Sequence, residues 1–297
     1  MPRQWSGRSK GNKTGYAIFI FLIKHFGIRP AYFLLRFVAL YYVFFVQEAR
    51  RPILYLYRER LGIPYWKSLI LLYHNFYVFG QTLIDKFAVT TGSYRRFKVA
   101  RTGAQYLNEL VDGGKGALLV SAHLGNWALA GHLLQHLDTV VHIVMYDGEE
   151  EQLKQYLAQE TGEKSFGIIF IREDLSHIYE IAAALNRNEL ICIHADRFLE
   201  NNRTIAHSFL GKTAEFPLGP FALAAKLKAP VCFVFAFKET ASRYHFYGFP
   251  PKTYQGKGME GVQKMLADFV GLLEQQVTQH PEQWFNYYPF WKARASR

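Results

Sequence analysis

From Ala117 onward the chain keeps alternating between short apolar runs and longer stretches with apolar residues at helical spacing. The short runs are Ala117 to Ser121, Val140 to Met145, Phe166 to Ile171, Leu190 to His194 and Val231 to Phe237. Helical patterns at Asn126 to His136, Glu149 to Glu160, Leu175 to Asn186 and Leu218 to Leu227 lie between them. A strand apolar on both faces must be covered on both faces, and helical connections carry the chain back to start the next strand in the same direction. The expected fold is therefore α/β, with a central, mainly parallel sheet flanked by helices. Such sheets place their sites beyond the carboxyl ends of the strands. The stretch Arg243 to Phe249 alternates as an edge strand would, and Val262 to Val277 reads as an amphipathic helix.

The first part of the chain follows a different rule. Residues 16–90 read as helices throughout, and Tyr16 to Ile23 and Ala31 to Val46 are rich in aromatic residues. Neither run reaches the roughly 20 residues that a spanning helix needs. One reading is a pair of aromatic core helices. The expected arrangement is a helical hairpin, or one tilted helix, lodged in a single leaflet with flanking Arg and Lys side chains reaching the phosphates. The organisation expected is a basic tail at 1–14, a helical membrane-associating region at 15–100 and an α/β domain at 101–297. The basic flank favours the cytoplasmic face. The net charge of +11 over 297 residues points to acidic partners, either an anionic membrane or an acidic carrier protein. Nucleic acid is not expected, because the basic residues are dispersed and the aromatics sit in apolar helices. Cys192 and Cys232 lie in apolar runs, as buried thiols in a reducing compartment would.

One histidine stands where chemistry is expected. Residues 121–131 read SAHLGNWALAG, so His123 follows a buried strand and precedes a helix. Gly125 lets the backbone approach a ligand, and amides at the helix start can stabilise an oxyanion. Neutral imidazole can take the proton of a hydroxyl attacking an acyl thioester. His194-Ala-Asp-Arg197 ends another strand: Asp196 can face the same site, Arg197 can bind a phosphate or carboxylate bidentately, and His194 reads as packing. Zinc held by His123, His194 and Asp196 is conceivable, but nothing in the spacing demands it. No metal or organic cofactor is expected. Gly113-Gly-Lys-Gly116 lacks the spacing of a phosphate-binding loop and reads as a turn into a strand.

These residues resemble the bacterial late lipid A acyltransferases (the lauroyl and myristoyl transferase group), whose motif is typically His-Phe/Leu-Gly-Asn-Trp-Glu. The resemblance covers roughly residues 15–290. It also rests on the Gly114-Lys-Gly lead, Asp196-Arg197, Phe209 to Leu223 and the closing Gln283 to Trp291. It implies fatty acyl transfer from acyl-acyl carrier protein, or acyl-CoA, to a lipid hydroxyl. The implied acceptor is a lipid A precursor, at the cytoplasmic face of a bacterial inner membrane. It implies His123 as general base, Asp196 near it, and Gly125, Asn126, Trp127, Arg197, Phe216, Pro217 and Gly219 at the substrate. The family's orienting acid falls at Ala128, which cannot accept a hydrogen bond. In serine proteases, loss of the orienting aspartate costs about 10⁴ in rate, so impairment by several decades is expected here. Three explanations stand: a substitution made to inactivate, a natural chain in which another acid such as Asp196 takes over, or a natural pseudoenzyme that only binds lipid. The chain also lacks the arginine that such enzymes carry near the end of the second strand, where it reads Val144-Met-Tyr-Asp-Gly148. That departure leaves room for a lysophospholipid, an aminolipid or a pigment ester as acceptor or product.

Overall fold

The computed structural model describes residues 13–90, 97–126, 134, 137–146, 166–199 and 202–291. The tail before Lys13 and the helical patterns expected at Asn126 to His136 and Glu149 to Glu160 lie, wholly or nearly so, outside the described residues.

Helices α1 (Lys13–Phe26), α2 (Ile28–Phe45), α3 (Gln47–Tyr55) and α4 (Tyr65–Thr90) come first, with a π-helical turn at Leu56–Arg60. Helix α2 buries Ala31, Tyr32, Leu35, Ala39 and Val43, one stripe at helical spacing. Its opposite side exposes Phe33, Phe37, Tyr41, Phe44 and Phe45. By length and composition α2 can cross a membrane, with 18 residues and 28% of them buried. Gly80 lets α4 close on α2, since a β-carbon there would stand 2.3 Å from Leu35.

The sheet begins with β1 (Lys98–Thr102), which straddles the 100/101 division expected from the sequence. Helix α5 (Ala104–Asp112), β2 (Ala117–Ser121), β3 (Val141–Tyr146) and β4 (Phe166–Ile171) follow. Next come α6 (Ser176–Asn186), β5 (Leu190–His194), β6 (Thr204–Phe209) and β7 (Lys212–Pro217). Helix α7 (Leu218–Leu227), β8 (Pro230–Thr240), β9 (Arg243–Gly248), β10 (Lys252–Thr253) and α8 (Glu260–Gln279) complete the set. Among the described residues the central sheet has 8 strands in the order β1-β9-β8-β2-β5-β3-β4, with β10 beside β8. Its pairings are parallel except for β8 with β9 and β8 with β10. The mainly parallel α/β sheet expected from the sequence is thus present.

Both faces of the sheet are covered, and alternation within strands divides them. Leu118 and Val120 join a core with Ile191, Ile193, Phe233 and the α8 residues Leu266, Phe269 and Leu273. Ala117 and Leu119 face the other way, packing with Leu107 and Leu110 of α5. Strand β9 is not an edge, contrary to its alternating pattern, because β1 pairs with it on the outside. The edge is β1 itself, which carries exposed Lys98, Arg101 and Thr102, charged as edge strands usually are. Beside the sheet, β6 and β7 form a separate antiparallel hairpin turned by Leu210 and Gly211, both at positive φ.

Candidate active site

Strands β2 and β5 are parallel neighbours, and Ser121 pairs with His194 at their carboxyl ends. Two residues further along each chain stand His123 and Asp196, so the register alone brings them together. The Asp196 carboxylate is 1% exposed. It accepts the His123 backbone N–H at 2.9 Å through Oδ2, and Oδ1 lies 2.8 Å from His123 Nδ1. An ionised carboxylate only accepts, so we assign the imidazole proton to Nδ1, which leaves Nε2 as the basic nitrogen. The side chain of His123 is 14% exposed.

Burial and charge around the pair together set its protonation. Burial and the nearby Arg197 guanidinium hold His123 below the ordinary imidazole value, outweighing the opposite pull of Asp196. Burial would raise the Asp196 carboxyl, but His123, Arg197 and His194 together hold it well below the usual carboxylate range. The outcome is a neutral imidazole hydrogen-bonded to an ionised carboxylate at neutral pH. The His194 ring lies against that of His123, tilted by 33° with centroids 4.5 Å apart, and burial and His123 bring its pKa down to about 3.

The loop carrying His123 is fixed along its length. Gly125 has φ +74°, and a β-carbon there would stand 2.2 Å from the Ala236 carbonyl oxygen; only glycine fits so close an approach. The Gly125 amide donates to Gln283 O at 2.8 Å, the Asn126 amide to Ala236 O at 2.7 Å and the Phe285 amide to His123 O at 3.1 Å. Asn126 is 3% exposed and donates from Nδ2 to the Tyr244 hydroxyl at 3.0 Å. Arg197 donates to Phe285 O at 2.5 Å and lies over the Tyr288 ring. The Tyr288 hydroxyl donates to Asp196 O at 3.2 Å.

His123, Gly125, Asn126, Asp196 and Arg197 are therefore gathered at one edge of the sheet. Trp127 and Ala128 lie outside the described residues. Phe216 is fully buried against Phe209, Phe269 and Phe290. Pro217 ends β7, and Gly219 is exposed in the first turn of α7. The metal-binding atoms of His123, His194 and Asp196 lie within 4.8 Å of one another. The Nδ1 of His123 and Oδ1 of Asp196, however, face each other at hydrogen-bond distance. Donor atoms converging on one zinc at about 2.0 to 2.1 Å would stand farther apart than that. Sequence reasoning missed Tyr244 and Gln283. Gln283 stood inside a recognised block without an assigned role, and Tyr244 sat in a strand taken for an edge.

Residues 64–293 match the family of bacterial lipid A biosynthesis acyltransferases. The chain belongs to this family. As a lipid A family acyltransferase, it is 24% identical over 225 residues to a phosphatidylinositol mannoside acyltransferase of Mycobacterium tuberculosis (strain CDC 1551 / Oshkosh), spanning 73% of this chain and 69% of that protein. The protein of the same description from strain H37Rv is 24% identical over 195 residues, 65% of this chain and 60% of that one. The crystal structure of the 1-acyl-sn-glycerophosphate acyltransferase PlsC from Thermotoga maritima overlaps 89% of this chain and 97% of its own, at 12% identity and a TM-score of 0.39.

Proposed function

We propose that this acyltransferase moves a fatty acyl chain from a carrier thioester to a lipid hydroxyl, with His123 as general base and Asp196 as its orienting acid. The observation that carries the reading is the 2.8 Å contact between His123 Nδ1 and Asp196 Oδ1. His123 Nε2 takes the proton of the acceptor hydroxyl as its oxygen attacks the thioester carbonyl. The tetrahedral oxyanion collapses to the ester and expels the thiolate, which receives the proton from the imidazolium. Asp196 fixes the tautomer and stabilises that imidazolium, the part a triad aspartate plays elsewhere. In this reading Asp196 takes over from the acid missing at Ala128, so the chain is active as it stands and not a pseudoenzyme.

The donor is acyl-acyl carrier protein, an acidic partner for a chain of net charge +11, with acyl-CoA as the alternative. The acceptor is a membrane lipid at the cytoplasmic face of a bacterial inner membrane. A lipid A precursor is what the family name suggests. A phosphatidylinositol mannoside or another lipid is favoured by the relatives' names and by the missing arginine after β3. The exposed Phe33, Phe37, Tyr41, Phe44 and Phe45 of α2 support membrane seating through the region 15–100.

The test is radiolabelled transfer from palmitoyl-acyl carrier protein and from palmitoyl-CoA to a panel of lipid A precursor, phosphatidylinositol mannoside, lysophosphatidic acid and lysophosphatidylethanolamine. The chain is expected to acylate at least one acceptor, and His123→Ala none. Transfer by His123→Ala at the unmodified rate, or inertness of the chain on every acceptor with both donors, overturns the reading.

A further inference from the structure

Below the site, a cluster of polar side chains is sealed between the N-terminal helices and the sheet. Asp85 of α4 is 0% exposed and Lys238 of β8 is 7% exposed. Asp85 accepts from Lys238 Nζ and from the hydroxyls of Tyr244 on β9 and Tyr32 on α2. Lys238 Nζ also lies 3.0 Å from the Tyr32 hydroxyl and 3.2 Å from that of Tyr244. Desolvating two charges is expensive, and apolar residues of similar volume often serve stability as well or better. The position of this cluster suggests what it does instead.

Two links run from the cluster to the His123 loop. Tyr244 gives its hydroxyl proton to Asp85, so its oxygen is left to accept, and Asn126 Nδ2 donates to it at 3.0 Å. The backbone of Lys238 exchanges two hydrogen bonds with the Gln283 side chain, at 2.9 and 3.0 Å. Gln283 O in turn accepts the Gly125 amide at 2.8 Å. Helix α4 adds a clamp on the same C-terminal segment: Asn75 Nδ2 donates to the carbonyls of Glu282 and Trp284, each at 3.1 Å. The links end at Asn126, at Gly125 and at the Glu282 to Trp284 segment that pairs with the His123 loop, and they begin on α4 or on the β8 and β9 residues that bond Asp85.

We propose that Asp85, Lys238 and Tyr244 are positioning residues: they hold Asn126 and Gly125, and so register the base loop to the N-terminal helices α2 and α4. Seating of those helices and alignment of His123 then form one mechanical unit. The proposal rests on reading His123 as the base.

The experiment uses the full chain in lipid–detergent micelles, palmitoyl-acyl carrier protein as donor and whichever acceptor of the panel turns over. Tyr244→Phe removes only the hydroxyl and keeps the ring against Phe97. It is expected to fold, to lose kcat about tenfold and to leave the donor KM within about twofold, as misplacement of a catalytic group does. Asn126→Ala is expected to lose a similar factor, and the double variant no more than either, since coupled residues are not additive. Hydrogen exchange across 118–126 is expected to quicken in Tyr244→Phe. Should Tyr244→Phe fold poorly, Asp85→Leu with Lys238→Met replaces the pair by apolar side chains and is expected to show the same kcat loss. Full kcat in a folded variant, a rise in KM alone, multiplicative losses or unchanged exchange would each overturn the proposal. If His123→Ala is inert while Tyr244→Phe runs at full rate, only the positioning falls. If His123→Ala stays active, the reading of the site falls and the positioning with it.

Discussion

Asp196 and Asp85 are both almost wholly buried carboxylates paired to a nitrogen, yet they occupy opposite settings. Asp196 sits at the carboxyl edge of the sheet, and its partner His123 is 14% exposed. Asp85 sits between helices and sheet, and its partner Lys238 is 3% exposed in its side chain and enclosed by Tyr32 and Tyr244. An imidazole that meets solvent can exchange a proton with a substrate near neutrality; an ammonium shut inside a core can exchange one only with the carboxylate beside it. A buried carboxylate can therefore serve to tune a reactive group or to hold one element against another. What decides is the partner and whether that partner meets solvent.

The largest break in this comparison is expected at His123. His123→Ala removes the base and should cut kcat by about 10⁴, measured on the best acceptor of the panel. Asp196→Asn comes next, at about 10³ to 10⁴, and has a pH signature. The neutral imidazole is the active form, so activity is lost as pH falls through the His123 pKa, which burial and Arg197 hold below its ordinary value. Asp196 pulls that value upward. Removing its charge should move the acid limb of the kcat/KM profile to lower pH while the plateau drops. A limb that moves upward would mean that Asp196 does not act on His123 electrostatically.

What the sequence made legible follows the same divide between local and long-range causes. Leu218–Leu227 and Leu190–His194 were readable because their apolar spacing is local. The strand Lys98–Thr102 was not, because two of its five residues are charged and it owes its existence to pairing with β9. Of the hairpin of β6 and β7, only β7 fell wholly inside the block Phe209 to Leu223 read for its resemblance, and the turn was marked only by Gly211. His123 announced itself through its motif, whereas its contact with Asp196, 73 residues away, needed the strand order that sets β2 beside β5. Asp85 gave no local sign: one acid in an aromatic helix acquires its meaning only when Lys238 arrives from β8.

The sealed pair should respond to substitution in a way the site does not. Asp85→Leu alone strands a buried ammonium and should cost about 3 to 5 kcal/mol of stability, whereas Asp85→Leu with Lys238→Met should cost about 1 to 3 kcal/mol, because the buried Tyr32 and Tyr244 hydroxyls still lose their acceptor. Denaturant unfolding of the two variants beside the unmodified chain measures the difference. If the single and double variants are equally destabilised, the cluster is held by packing and not by charge.

The smallest effect is expected at Ala128, where the family pattern has its acid. An imidazole Nδ1 carries one hydrogen, and here that hydrogen is directed at Asp196. A glutamate introduced at 128 would find that donor already engaged, so Ala128→Glu should change kcat by no more than about threefold. The informative arm is the pair. If a carboxylate at 128 can reach His123, Ala128→Glu should restore part of the rate lost in Asp196→Asn. If it cannot, the double variant should be as slow as Asp196→Asn alone. A gain of a hundredfold or more from Ala128→Glu by itself would show that Asp196 is a structural acid after all. The site would then resemble the sealed cluster below it more than its partly buried histidine suggests.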